Sequence, residues 1–157
     1  MSSERAETGE RKGGAPRVGV GVMLIDDEQR VLLTLRRRAP EAGCWSILGG
    51  KLDFLEKLSE CAVREACEEA GVEVELVRLL CVTDHLLPQE GQHWIAPAYL
   101  GRVVSGEAQN REPEKTEELR WFAIDEVPEN LTITAHNAIR TYLQQCWGER
   151  GRERRTG

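Results

Sequence analysis

The sequence predicts an α/β fold, a mixed β-sheet sandwiched between helices (α/β/α). Three observations predict it. Six segments are short and rich in alternating or contiguous Val, Leu and Ile, the pattern of strands. Two longer segments space their apolar residues as helices do. The two kinds do not follow one another in regular βαβ order, so the sheet is mixed and helices cover both of its faces.

The elements follow in order. "RVGVGVMLID" reads as a strand, "DDEQ" as a turn and "RVLLTLRR" as a second strand, so these two are expected to form a hairpin. "CWSIL" is a short strand running into Gly49 and Gly50. Lys57–Ala70 consists of helix formers, with Gly71 just past its end where a left-handed cap is wanted. "VEVELVRLLCVTDHLL" and "QHWIAPAYLGRVV" are two strands joined through "PQEG". "LRWFAI" is a further strand, and "LTITAHNAIRTYLQQCW" closes the domain as an amphipathic helix. The domain is expected over residues 16–147. Residues 1–15 are expected to be a disordered tail, and residues 148–157, "GERGRERRTG", a flexible basic one.

The chain has 157 residues, enough for one domain with a real core. No apolar run approaches the roughly 20 residues of a membrane span. The N-terminus has no apolar stretch of a secretory signal, so a cytoplasmic location is expected. A net charge of −6 argues against a broadly basic nucleic-acid surface. Five cysteines, Cys44, Cys61, Cys67, Cys81 and Cys146, form no CxxC pair, which argues for free thiols rather than disulfides or zinc.

The stretch "GGKLDFLEKLSECAVREACEEAGVEV" carries Glu56, Glu60, Glu65, Glu68 and Glu69. At about 100° per residue, Glu65, Glu68 and Glu69 share a sector of roughly 100°, with Ala62, Ala66 and Ala70 on a neighbouring arc. Two carboxylates about 4 Å apart repel by about 4 kcal/mol at an effective dielectric of 20. A solvated face is one reading. A hard divalent cation is the other: Mg²⁺ takes carboxylate and water oxygens and bridges to phosphates. The glycine pair fits the second, because a backbone without side chains lets a ligand come close.

Gly50, five residues, Glu56, seven residues, Arg64-Glu65, Ala66, one residue, Glu68-Glu69, one residue, Gly71 and Val72 fill every defined position of the Nudix box, GX5EX7REUXEEXGU. From about Arg17 to Trp147 the chain resembles the MutT-like Nudix hydrolases. One departure is Leu48, where the family often has proline. The resemblance implies the Nudix fold and Mg²⁺-dependent hydrolysis of a nucleoside diphosphate linked to a group X, with Mn²⁺ able to substitute. A nucleoside triphosphate, oxidised forms such as 8-oxo-dGTP included, would give monophosphate and pyrophosphate. ADP-ribose, a dinucleoside polyphosphate or a capped RNA end are alternative substrates, and a non-catalytic nucleotide sensor is the alternative from another class.

The resemblance also assigns roles. Glu68 and Glu69 would be metal ligands, Glu65 a ligand or the base, and Glu56 would complete the acidic ring. A backbone carbonyl of Gly49 or Gly50 would be a further ligand, and Arg64 would orient the carboxylates through its planar fork. Arg36, with Arg37 and Arg38 as its alternatives, matches a phosphate-contacting position. Among Glu112, Glu114, Glu117 and Glu118, the favoured late acids are Glu114 and Glu117. For the base, Trp94 is a stacking candidate and Asn137 an edge-reading one, while Trp45 is expected in the core and His85 is expected to be structural or exposed. The partner would be a small nucleotide, not a membrane or a specific nucleic acid. The protein would be a monomer or homodimer.

Overall fold

The computed structural model describes residues 14–155. Seven strands run in order: β1 (Arg17–Leu24), β2 (Arg30–Arg36), β3 (Trp45–Ser46), β4 (Leu48–Lys51), β5 (Glu73–Leu87), β6 (Gln92–Ser105) and β7 (Thr116–Ala123). Helix α1 spans Leu58–Ala70 and helix α2 spans Ile133–Glu153. The strands form two sheets rather than one: β4-β1-β6-β5 and β3-β2-β7. Among the described strands, β1 and β6 pair in parallel and the other ladders are antiparallel.

The expected β1–β2 hairpin does not form. The two strands lie in different sheets and share one isolated bridge, Ile25 to Val31. The reason lies in β1. Both of its faces are buried: Val20, Val22 and Leu24 face the α1 core, and Met23 packs in the α2 core. Its two edges are taken by β4 and β6, so no edge remains for β2. The turn is nevertheless well made, because Asp26 Oδ1 accepts the N–H groups of Glu28 and Arg30 at 3.1 and 2.8 Å. "CWSIL" also divides, at Ile47: Trp45–Ser46 pairs with β2, and Leu48–Lys51 pairs with β1. That segment stitches the two sheets together.

Helix α1 packs through small residues. Cys61, Ala62, Ala66 and Ala70 are all fully buried, so its axis comes close to β4 and β1. Gly71 ends it with φ 68, donating to Cys67 O. Helix α2 covers the opposite core through Ala135, Ala138, Ile139 and Tyr142. It runs past the expected boundary, so residues 148–153 are helical rather than a loose tail. Arg150 and Arg152 sit in its last turn, where positive charge favours the helix dipole. Of the proposed N-terminal tail, residues 1–13 lie outside the described residues. No described helix is long and apolar enough to cross a membrane.

Candidate active site

A cleft of about 520 Å³ opens between the two sheets. Gly19, Gly21, Ala96 and Ala98 form its floor on β1 and β6, and Thr34 and Ser46 face them from β2 and β3. At one edge, Gly49 and Gly50 of β4 meet Glu65 and Glu69 of α1. The sheet explains the glycine pair. A β-carbon on Gly49 would strike the carbonyl of Val20 and stand 2.8 Å from Gly21 Cα. A β-carbon on Gly50 would strike the carboxylate of Glu65. One glycine is required by the backbone, the other by the site.

Arg64 organises the acidic ring. Its Nε and Nη2 donate to the two oxygens of Glu56 at 2.7 and 2.9 Å, a bidentate fork. Its Nη1 donates to Glu65 at 2.9 Å and to Glu68 at 3.2 Å, and Nη2 also reaches Lys51 O at 3.1 Å. Glu69 turns the other way and accepts the Gly49 N–H at 3.1 Å. The hydrogen bonds from Arg64 hold the Glu56 carboxyl down to about 2. Burial pushes Glu65 up despite Arg64, and pushes Glu69 well above the usual carboxylate range despite the Gly49 N–H. Burial also pushes the Cys61 thiol up to about 12, which makes it inert.

Among the described residues, no three acidic, histidine or cysteine side chains form a ready-made metal cage, because the carboxylates are drawn onto Arg64. The donor set nevertheless fits a hard dication. It is all oxygen, and burial disfavours the charge on two inward-turned carboxyls, Glu65 and Glu69, which a bound dication would compensate. Glu68 is half exposed on the same edge and adds a third carboxylate.

The late acid on the cleft wall is Glu112, not Glu114 or Glu117. Its charge is felt by Glu69. Asn110 Oδ1 accepts the Glu112 N–H at 3.1 Å, which forms a turn at this residue. Arg36 and Arg38 line the cleft, whereas Arg37 donates outward to Pro113 O at 2.8 Å. Trp94 lines the cleft with Arg17 stacked 4.5 Å from its ring centre, and Trp45 is core. Asn137 is not on the cleft wall. It donates to Thr83 at 3.1 Å and braces β5 against α2. His85, read from sequence as structural or exposed, lines the cleft, as do Glu41 and Lys115. These three come from separate segments, and no local spacing pointed to them.

Comparison with known proteins agrees with this geometry. The family model described as NUDIX domain matches residues 15–145, and the chain belongs to the Nudix family. A solved MutT NUDIX hydrolase from Burkholderia pseudomallei is 45% identical with a TM-score of 0.78, covering 82% of this chain and 98% of that one. An RNA pyrophosphohydrolase of Novosphingobium aromaticivorans is 29% identical, covering 80% of this chain and 89% of that protein. An oxidized purine nucleoside triphosphate hydrolase of Danio rerio is 32% identical, covering 68% and 67%. The protein is therefore a hydrolase of MutT-like type, from a family that generally uses a divalent metal.

Proposed function

We propose that this protein hydrolyses nucleoside triphosphates to the monophosphate and pyrophosphate, with Mg²⁺ as the natural metal and Mn²⁺ as a substitute. The observation that carries the reading is the complete acidic ring, Glu56, Glu65, Glu68 and Glu69 around Arg64, set beside Gly50 at the mouth of a cleft of about 520 Å³. Such a cleft lies within the roughly 300–1,000 Å³ range of small-molecule sites. The relatives named oxidized purine nucleoside triphosphate hydrolase and RNA pyrophosphohydrolase support a triphosphate-like substrate.

The residues divide the work. Glu65, Glu68 and Glu69, with the Gly50 carbonyl, would hold the metal, and Glu112 would close the site from the opposite side. When bound, the metal would neutralise phosphate charge and favour ionisation of water. Arg64 gathers and orients Glu56, Glu65 and Glu68 before anything binds. Arg36 and Arg38 face the same space and would meet phosphate oxygens. Water oxygen attacks phosphorus, its proton passes to a carboxylate of the site that is not engaged with the metal, and the P–O bond to the leaving pyrophosphate breaks.

Chromatographic product analysis at fixed Mg²⁺ tests this, over dGTP, 8-oxo-dGTP, dCTP, ATP, ADP-ribose and a diadenosine polyphosphate. Monophosphate plus pyrophosphate from a triphosphate, far faster than ADP-ribose is split, is the expected result. Faster cleavage of ADP-ribose or the dinucleotide would replace the substrate class, and no turnover at all would favour a sensor.

A further inference from the structure

At the end of the cleft away from Gly50, two side chains converge from distant segments. Glu41 lies beyond β2, and His85 lies on β5, opposite Trp94 of β6. Strand β5 is the far edge of the sheet from β4, three strand spacings or about 14 Å across. His85 Nε2 is 2.8 Å from Glu41 Oε1. The nitrogen is poorly aligned with that oxygen: among the described residues, it is the buried side-chain polar atom left without a hydrogen bond. Glu41 Oε2 accepts the Ile133 N–H, at the positive end of α2, at 3.0 Å. Its backbone has φ 57, which non-glycine residues seldom adopt.

This pair has no part in the chemistry at the acidic ring. A mostly buried carboxylate facing a mostly buried imidazole, with a strained backbone and an unsatisfied nitrogen, is the kind of arrangement that function retains. Between it and the ring, the lining includes the small residues Gly19, Gly21, Ala96 and Ala98, which leave room over β1 and β6. A planar base can lie there while its phosphates reach the glutamates.

We propose that Glu41 and His85 are specificity-determining residues that read the edge of a nucleobase carrying a ring N–H beside an exocyclic amine, the guanine type. The inference rests on the triphosphate reading above. A carboxylate only accepts, and its oxygens keep lone pairs beyond those facing Ile133 and His85. The guanine edge offers two adjacent N–H donors, which suit Glu41, and a carbonyl, which suits an N–H of His85. Adenine and cytosine each present a ring nitrogen lone pair to the carboxylate, and that repulsion rejects them.

Steady-state kinetics of the wild type, Glu41→Gln and His85→Gln test the assignment with GTP, ITP, ATP and CTP at fixed Mg²⁺. ITP lacks only the amine. The wild type should favour GTP over ITP by about tenfold in kcat/KM, the worth of one charge-assisted hydrogen bond. Glu41→Gln should bring that ratio near one, with the loss mainly in KM. His85→Gln should lower GTP and ITP together relative to ATP, because both keep the carbonyl. Glutamine at position 41 still accepts from Ile133, and a melting curve checks its fold. His85→Gln leaves that helix contact untouched, so the inference stays falsifiable if the first variant fails to fold. Equal losses on all four nucleotides, or unchanged ratios, would overturn the inference while leaving the triphosphate reading intact. A wild type with no preference for GTP would do the same. A wild type that splits no triphosphate would overturn both.

Discussion

The two ends of the cleft solve the same backbone problem differently. Each carries a non-glycine residue in the left-handed region, Leu55 with φ 64 near the acidic ring and Glu41 with φ 57 at the far end. Leu55 is 87% exposed, and beside it Phe54 is 92% exposed. Its conformation serves the tight loop between Gly50 and Glu56, where Glu56 N–H donates to Asp53 O at 3.1 Å. The Leu55 side chain contributes nothing visible in return. Glu41, by contrast, uses its conformation to place a carboxylate between the Ile133 N–H and His85. At the acidic end the strain comes from spacing along the chain. At the far end it is offset by contacts from two other elements.

The comparison can be broken most severely at the acidic end. Glu69→Gln removes an inward carboxylate, and kcat should fall by about 10³-fold or more, since the metal's stabilisation of the transition state is worth several kcal/mol. Retention of most turnover in a folded variant would dismiss the ring as the catalytic centre.

The glycine pair gives the next largest effects, and the two should separate. Gly50→Ala should lose roughly 100-fold in kcat while melting near the wild type, because the obstruction is to a movable Glu65 carboxylate. Gly49→Ala should lose about 2 kcal/mol or more of stability, because the obstruction is the β1 backbone. Denaturant titration beside kinetics distinguishes them, and identical behaviour would refute the division.

The two left-handed residues offer a smaller and sharper contrast. Leu55→Gly should stabilise by about 1 kcal/mol, since glycine relieves the left-handed penalty and the exposed side chain packs on little. Glu41→Gly relieves the same backbone yet removes the contact with Ile133, so it should not stabilise. If both variants gain equally in chemical denaturation, the contacts at Glu41 offset nothing.

The smallest effect is in pH dependence. The Glu56 carboxyl is held at about 2 against an ordinary 4.5, by its hydrogen bonds to Arg64. A depressed value means that its stabilisation is present above pH 4.5 and is lost as pH falls through 2. The stability gap between wild type and Glu56→Gln should therefore shrink between those limits. A gap that stays constant over that range would mean that Arg64 does not hold Glu56 in solution.

The sequence by itself determined the acidic end. Glu56, Arg64, Glu65, Glu68 and Glu69 lie within one helix and the loop before it, so their relative positions follow from helical pitch and chain length, and Gly50 stands on β4 just ahead of that loop. The type and place of nearly every strand were likewise legible from local apolar pattern. Only the tertiary structure decided how those strands pair. A strand buried on both faces has two edges to fill, and nothing local says that β1 takes β4 and β6 while β2 goes to a second sheet. That choice creates the space between the sheets. It brings Glu41, His85, Trp94 and Glu112 to one cleft from four separate segments, and it leaves Asn137, Glu114 and Glu117 off the wall. Local periodicity fixes which way a side chain points along its own strand. Which wall it joins depends on pairings between distant segments, and those are set by packing of the whole core.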